Sequence, residues 1–177
     1  MKSLSKLVDL YNQTVGHGAQ LMLGIAPDNT GRVPAEDVAR LKEFGEAVQR
    51  FYAHNLVTEK HGQSVAQQAT DGDVDTFWSA PAGSHSAAIE ISFPQPVTFD
   101  RALTMEWLND GQHVQKYAIE VLEGTQWRRV AEGQAIGHKK IDIFQPVTAP
   151  RVRLNLLSTS SEAHIREFQL FNGAAAR

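Results

Sequence analysis

The 177-residue sequence contains no cysteine, which excludes disulfides, thiolate nucleophiles and cysteine-based metal sites. It has no surplus of positive charge. Seventeen lysines and arginines stand against 20 aspartates and glutamates, for a net charge of -3. That leaves no electrostatic footprint for nucleic acid or an anionic membrane. The pairs Arg128-Arg129 and Lys139-Lys140 are too short to change this. No apolar run approaches the roughly 20 residues needed to span a bilayer. The opening MKSLSKLVDLYNQ carries lysines without the continuous apolar stretch of a signal peptide. A soluble chain without an export signal is expected. There is no Gly-x-Ser-x-Gly, no P-loop and no His-Glu-x-x-His, and no internal repeat. What is present, 42% hydrophobic and 21% charged residues, suits a globular protein, and the length allows one domain or one domain with an appendage.

Two periodicities divide the chain near Asn55. Before it, Leu4, Leu7, Val8, Tyr11 and Val15 recur at helical spacing, as do Val38, Leu41, Phe44, Val48, Phe51 and Tyr52. Pro34 suits the first position of the second helix, and Glu36 and Asp37 complement its positive end. Between them QLMLGIAPDNTG reads as one buried strand, Gln20 to Ala26, followed by a turn. After it the period is two: Ile89, Ile91, Phe93; Leu103, Met105, Trp107; Tyr117, Ile119, Val121; Val152, Leu154, Leu156. Prolines 94, 96, 146 and 150 and the Asn109-Asp110-Gly111 and Glu123-Gly124 turns punctuate these runs. Short alternating strands of this kind predict an antiparallel β-sandwich. The expected division is a helix-strand-helix segment over 1–54, a connection over 55–68, the sandwich over 69–172 and a small-residue tail over 173–177.

One stretch combines opposites. ATDGDVDTFWSA, Ala69 to Ala80, places Asp71, Asp73 and Asp75 directly before Thr76, Phe77 and Trp78. One reading is a solvated Asp-Gly turn beside core aromatics. The other is an oxygen-lined loop pinned to the sandwich by those aromatics.

From about Ala69 to Phe171 the sequence resembles the discoidin-type domain, a galactose-binding-like jelly-roll β-sandwich shared with family-32 carbohydrate-binding modules. DGDVDTFWSA, YAIEVLEGTQWRRVAEG and VRLNLL…IREFQLF carry that resemblance in order. Residues 7–52 resemble the last helix, strand and helix of the catalytic barrel of α-L-fucosidases, with AQLMLG where that family has an asparagine-rich strand. GQHVQKYAIEV and GQAIGHKKIDIF resemble the sandwich that follows the barrel in a subgroup of those enzymes. The whole chain thus looks like the last third of an α-L-fucosidase, mainly β, with most of the barrel missing.

The resemblance implies a bound cation, usually calcium. Asp71 and Thr76 would offer side-chain oxygens, Gln68 and Asp73 main-chain carbonyls, and Arg166 with Glu167 would close the site. Calcium takes six to eight hard oxygens, and a tight turn at Gly72 can point several inward. It also implies a glycan ligand at one end of the sandwich. The loop candidates there are His85, Asn109, Gln112, His113, His138, Lys139 and His164. For Gln112-His113 and His138-Lys139, packing against a barrel is the competing role. Both carboxylates of the fucosidase mechanism would lie outside this chain. Asp28, after the expected strand, is the one catalytic candidate, and its Pro-Asp-Asn-Thr-Gly setting is equally good turn chemistry.

Three functions follow: a carbohydrate-binding protein, a small fucosidase with a site rebuilt at a subunit interface, or a sandwich that docks to an absent barrel. The unpaired strand and the two apolar stripes predict a homodimer through residues 1–54.

Overall fold

The computed structural model of the protein describes residues 2–173, so all of the tail expected over 173–177 except Gly173 lies outside the described residues. Helix α1 spans Leu4–Thr14, α2 Ala35–Tyr52 and the short α3 Leu56–Glu59. Six strands follow: β1 Trp78–Ser79, β2 Ala87–Glu106, β3 Val114–Glu123, β4 Gln126–Gly133, β5 Lys140–Thr159 and β6 His164–Phe171. Ser3 caps α1 by accepting from the Lys6 amide, and Glu36 and Asp37 occupy the first turn of α2.

Every strand pairing is antiparallel, in the order β1-β6-β2-β5-β3-β4. The sandwich is made by bending two long strands together. Residues 87–92 of β2 pair with 151–156 of β5, and residues 97–104 pair with 140–149, with a register shift between Ser92 and Val97. Pro94 and Pro96 lie inside that shift. Proline has no amide to donate, so the ladder breaks there and the chain turns from one layer into the other. Runs 89–93 and 103–107 thus belong to a single bent strand, which ends at Glu106.

Between the layers lies the main core, with Tyr117, Phe99, Phe168, Ile89, Ile119, Leu154, Leu156 and Ile165 fully buried. Each such side chain contributes roughly 1.5–3 kcal/mol through burial. A second cluster, Leu103, Met105, Ile141 and Phe171, lies on the outer face of β2, β5 and β6, where Tyr11 and Tyr52 of the helices cover it. Tyr11 and Tyr52 of the helical stripes therefore fold back onto the sandwich.

Two expectations change. Gln20 to Ala26 is not in a strand and is not buried: Leu21, Leu23 and Ile25 are half-buried, while Gln20, Met22, Gly24 and Ala26 are exposed. The alternation of a strand is present, but the described residues supply no neighbour to complete its ladder. Residues 55–68 do more than connect. Leu56, Val57 and Ala66 belong to the core, Asn55 caps α3, and Gln63 pairs with Ser92.

Candidate functional site

Four loops meet at one end of the sandwich, tied by main-chain hydrogen bonds. Trp107 donates to the carbonyl of His164 at 2.9 Å, Ser160 to His113 at 2.8 Å, Thr159 to His85 at 3.0 Å and Glu106 to Gly137 at 2.9 Å. The bend in β2 and β5 brings about this convergence, because both strands begin and end here.

At its centre an exposed carboxylate lies between two imidazoles. Asp110 Oδ2 is 3.1 Å from His164 Nε2 and 3.6 Å from His113 Nε2. The opposite ring nitrogens meet hydroxyls: His164 Nδ1 lies 2.9 Å from Ser79 Oγ and His113 Nδ1 lies 3.3 Å from Ser160 Oγ. The side chain of Asp110 is 47% exposed, against 17% and 18% for the two histidines. Its free edge is thus open to solvent while its partners are held. Beneath, Phe77 stacks on Trp107 at 4.7 Å and meets the edge of His164 at 5.2 Å. The Arg166 guanidinium lies 4.9 Å from the Trp107 centroid. Chemically this is a fixed set of acceptors and ring donors on an aromatic base, suited to orienting hydroxyl groups.

Sequence reasoning named His113 and His164 but not Asp110, Ser79, Ser160 or Trp107. Asp110 lay inside an Asn-Asp-Gly turn signal, and its role depends on a histidine 54 positions away in sequence. Asn109 and Gln112 stand exposed on the same loop. His85 lies alongside, with Nδ1 3.0 Å from the Thr159 carbonyl. His138 and Lys139 face the helical layer instead, packing against Gly18 and lining a groove with Tyr11, Val15, Leu21 and Phe44.

The oxygens expected to bind a cation also converge. Thr76 Oγ1 lies 2.9 Å from Asp71 Oδ2 and 3.1 Å from the carbonyls of both Gln68 and Asp73. One hydroxyl proton cannot serve three acceptors. Glu167 is fully buried; its Oε2 accepts from Gln169 at 2.9 Å, and its Oε1 is without a hydrogen-bond partner among the described residues. Burial and the neighbouring charges of Asp71 and Asp73 push its carboxyl above the usual range, against hydrogen bonding from the Gln169 side chain and the Gly72 amide. A buried carboxylate with spare acceptor capacity, close to Asp71 and Asp73, fits a divalent cation together with the surplus of hard acceptors around Thr76. Among the described residues no three histidine, aspartate or glutamate side chains form a metal group by themselves, so the fit depends on carbonyl and hydroxyl oxygens. The side chain of Arg166 can only donate, and it does so to the Val74 carbonyl at 2.6 Å, tying down the same loop.

Asp28 is consumed by its own turn. Its Oδ1 accepts from Thr30 N at 2.8 Å, Thr30 Oγ1 at 2.7 Å and Arg32 N at 3.0 Å. The Thr30 hydroxyl, then the Arg32 and Thr30 amides, hold its carboxyl below the usual range.

The chain is 25% identical to a putative α-L-fucosidase 1 of Oryza sativa subsp. japonica, over 96% of its own length and 35% of that protein's. It thus spans about a third of the curated relatives it matches. Its fold matches that of a putative α-L-fucosidase from Bacteroides thetaiotaomicron with a TM-score of 0.89 at 24% identity, over 97% of this chain and 40% of that one. A chitosan-binding module from Paenibacillus sp. IK-5 shares the sandwich, with a TM-score of 0.59 at 20% identity over 67% of this chain and 98% of the module. The match thus takes in nearly the whole chain in the fucosidase and about two thirds of it in the chitosan-binding module. Residues 54–168, more than half of the chain, match the F5/8 type C domain, and the chain belongs to that family.

Proposed function

We propose that this fucosidase-related carbohydrate-binding module takes galactose- or fucose-containing glycans at the Asp110, His113 and His164 end of its sandwich, with a structural calcium ion beside it. Asp110 carries the reading: a solvent-open carboxylate whose two flanking imidazoles are pinned from behind. Neighbouring sugar hydroxyls donate well to such a group. The name of the Paenibacillus module and the fucosidase relatives support a sugar as the ligand class. Calcium on Gln68, Asp71, Asp73, Thr76 and Glu167 would fix the loop that presents Phe77 and Ser79.

Calorimetric titration with methyl α-L-fucoside and methyl β-D-galactoside tests the reading. Hydrogen bonds to a charged group contribute about 1.5–3 kcal/mol. Asp110→Ala should therefore weaken binding by roughly 10- to 100-fold, while His138→Ala on the helical side leaves it unchanged. A wild-type chain that binds neither glycoside, or an Asp110→Ala variant that binds normally, refutes the site.

We further propose a homodimer through residues 1–54. Met22 is 85% exposed and Val38 39%, and residues 20–27 make no main-chain hydrogen bond among the described residues. A second copy of this segment, related by a twofold axis, would complete the ladder and cover both. Sedimentation should give about twice the chain mass, reverting to monomer in Met22→Glu. A monomer at all concentrations overturns the dimer, and a dimer that survives Met22→Glu overturns its location.

A further inference from the structure

Glu106 is the last residue of β2, fully buried. Its Oε1 accepts from the amides of His113 at 2.6 Å and Val114 at 2.9 Å, and its Oε2 accepts from the Gly137 amide at 3.3 Å. Its own amide donates to the Gly137 carbonyl at 2.9 Å. One side chain thus holds two loops that are not joined in sequence. The first, residues 107–113, carries Asp110 and His113. The second, residues 134–139, carries His138 and Lys139 against Gly18 of the helical segment. Both turn on left-handed glycines, Gly111 at φ 117° and Gly137 at φ 64°, so neither path is easily reshaped.

From this geometry we infer that Glu106 is the positioning residue of the glycan site, setting loop 107–113 against loop 134–139 so that the two move as one unit. The inference rests on the glycan reading of Asp110 and His113, and it adds a route from that site to the helical layer.

The chemistry requires a carboxylate. All three groups facing the side chain are N–H donors, so both of its oxygens must accept. Glutamine has nearly the same shape, but its amide nitrogen would turn a donor toward at least one of those N–H groups. Alanine would leave all three amides without their acceptor in a dry site. Burial raises the carboxyl of Glu106 above its ordinary range, with the Val114, His113 and Gly137 amides opposing. An ionisable group that burial disfavours is poorly explained by stability alone, and loop placement explains it better.

Hydrogen exchange by NMR on the full chain, with and without Glu106→Gln, decides the matter. In the variant the amides of His113, Val114 and Gly137 should lose protection together, while those of Ile119 and Leu154 in the core of the sandwich keep theirs. A general loss of stability would expose all five. Affinity for methyl α-L-fucoside or methyl β-D-galactoside should fall at least tenfold. Protection lost on one loop only, or normal affinity with both loops released, overturns the inference. If the wild-type chain binds neither glycoside, the glycan reading falls, and the exchange result still decides whether the two loops are coupled. Should Glu106→Gln not fold, the wild-type rates decide: one common opening for the three amides supports the coupling, and three independent ones refute it.

Discussion

Excess EDTA should lower the thermal midpoint of this chain by roughly 5–10 °C, and added calcium should restore it. An ion bound only to the native state stabilises it by mass action, by about 2.7 kcal/mol when free ion exceeds Kd a hundredfold. For a chain of this length each kcal/mol moves the midpoint by roughly 2–4 °C. The expected origin is specific: the buried Glu167 carboxylate, whose Oε1 lacks a well-formed hydrogen bond, near Asp71 and Asp73, with three acceptors around one Thr76 hydroxyl. Glu167→Gln should therefore melt at one temperature with or without chelator. Magnesium should restore less than calcium, because it demands a tighter octahedral shell and keeps its waters. A melting curve unmoved by EDTA, in protein that elemental analysis shows to hold no metal, would refute the cation site.

The pH dependence of that loss has a definite sign. Burial, with Asp71 and Asp73 nearby, raises Glu167 in the native chain above its ordinary value of 4.5. The metal-free native state then holds a proton that the unfolded chain has released. Its stability falls as pH rises from about 4.5 through the raised native value, and the deficit persists above it. A divalent cation favours the ionised carboxylate and opposes this trend. The drop in midpoint on adding EDTA should accordingly be small in mild acid and grow toward neutral pH.

Much of the scaffold was legible because it depends on local pattern. The alternation Ile89-Ile91-Phe93 and Tyr117-Ile119-Val121 marks strands whose inward faces are fully or almost fully buried, and the helical stripes mark α1 and α2. The bend at Pro94 and Pro96 has the sequence signature of a break between strands, since a proline that ends a ladder and one that folds it look alike in sequence. Gln20 to Ala26 has the composition of a core strand, but a strand needs neighbours, and those lie outside any local pattern. The acidic loop was legible as a set because Asp71, Gly72, Asp73 and Thr76 are adjacent, with Glu167 supplied by resemblance. The Asp110, His113 and His164 cluster was only half legible. Its members come from loop 107–113 and the first residue of β6, which meet through the folding of the sandwich, and Asp110 sits in a turn sequence that accounts for an aspartate without any ligand. Glu106 gave no signal at all. It occupies a polar position of an alternating strand, where an exposed glutamate is the ordinary expectation, yet it is fully buried.

Two glycines should respond oppositely to alanine, and the contrast tests how the sheet is packed. Gly133 ends β4 directly opposite Tyr117 of β3. The Tyr117 ring folds over it, so that a Cβ at 133 would stand 2.6–2.7 Å from Cε1, Cζ and the phenol oxygen. An aromatic covering a cross-strand glycine in this way compensates for its missing side chain. The ring has little room to retreat, being fully buried with its hydroxyl donating to Asp142 Oδ2 at 2.7 Å. Overpacking a core costs about 1–3 kcal/mol, and pulling the hydroxyl off a part-buried carboxylate adds about 1–3 kcal/mol. Gly133→Ala should therefore lose about 2–6 kcal/mol and melt roughly 5–20 °C below wild type. Gly45, within α2, has no atom within 4 Å of the Cβ it would gain and does not sit at positive φ. Gly45→Ala should stabilise by about 0.8–1.0 kcal/mol through helix propensity, raising the midpoint by roughly 2–4 °C. Equal and small shifts for both variants would mean that the Tyr117 ring is free to move, and with it the hydrogen bond that ties β3 to the outer stretch of β5.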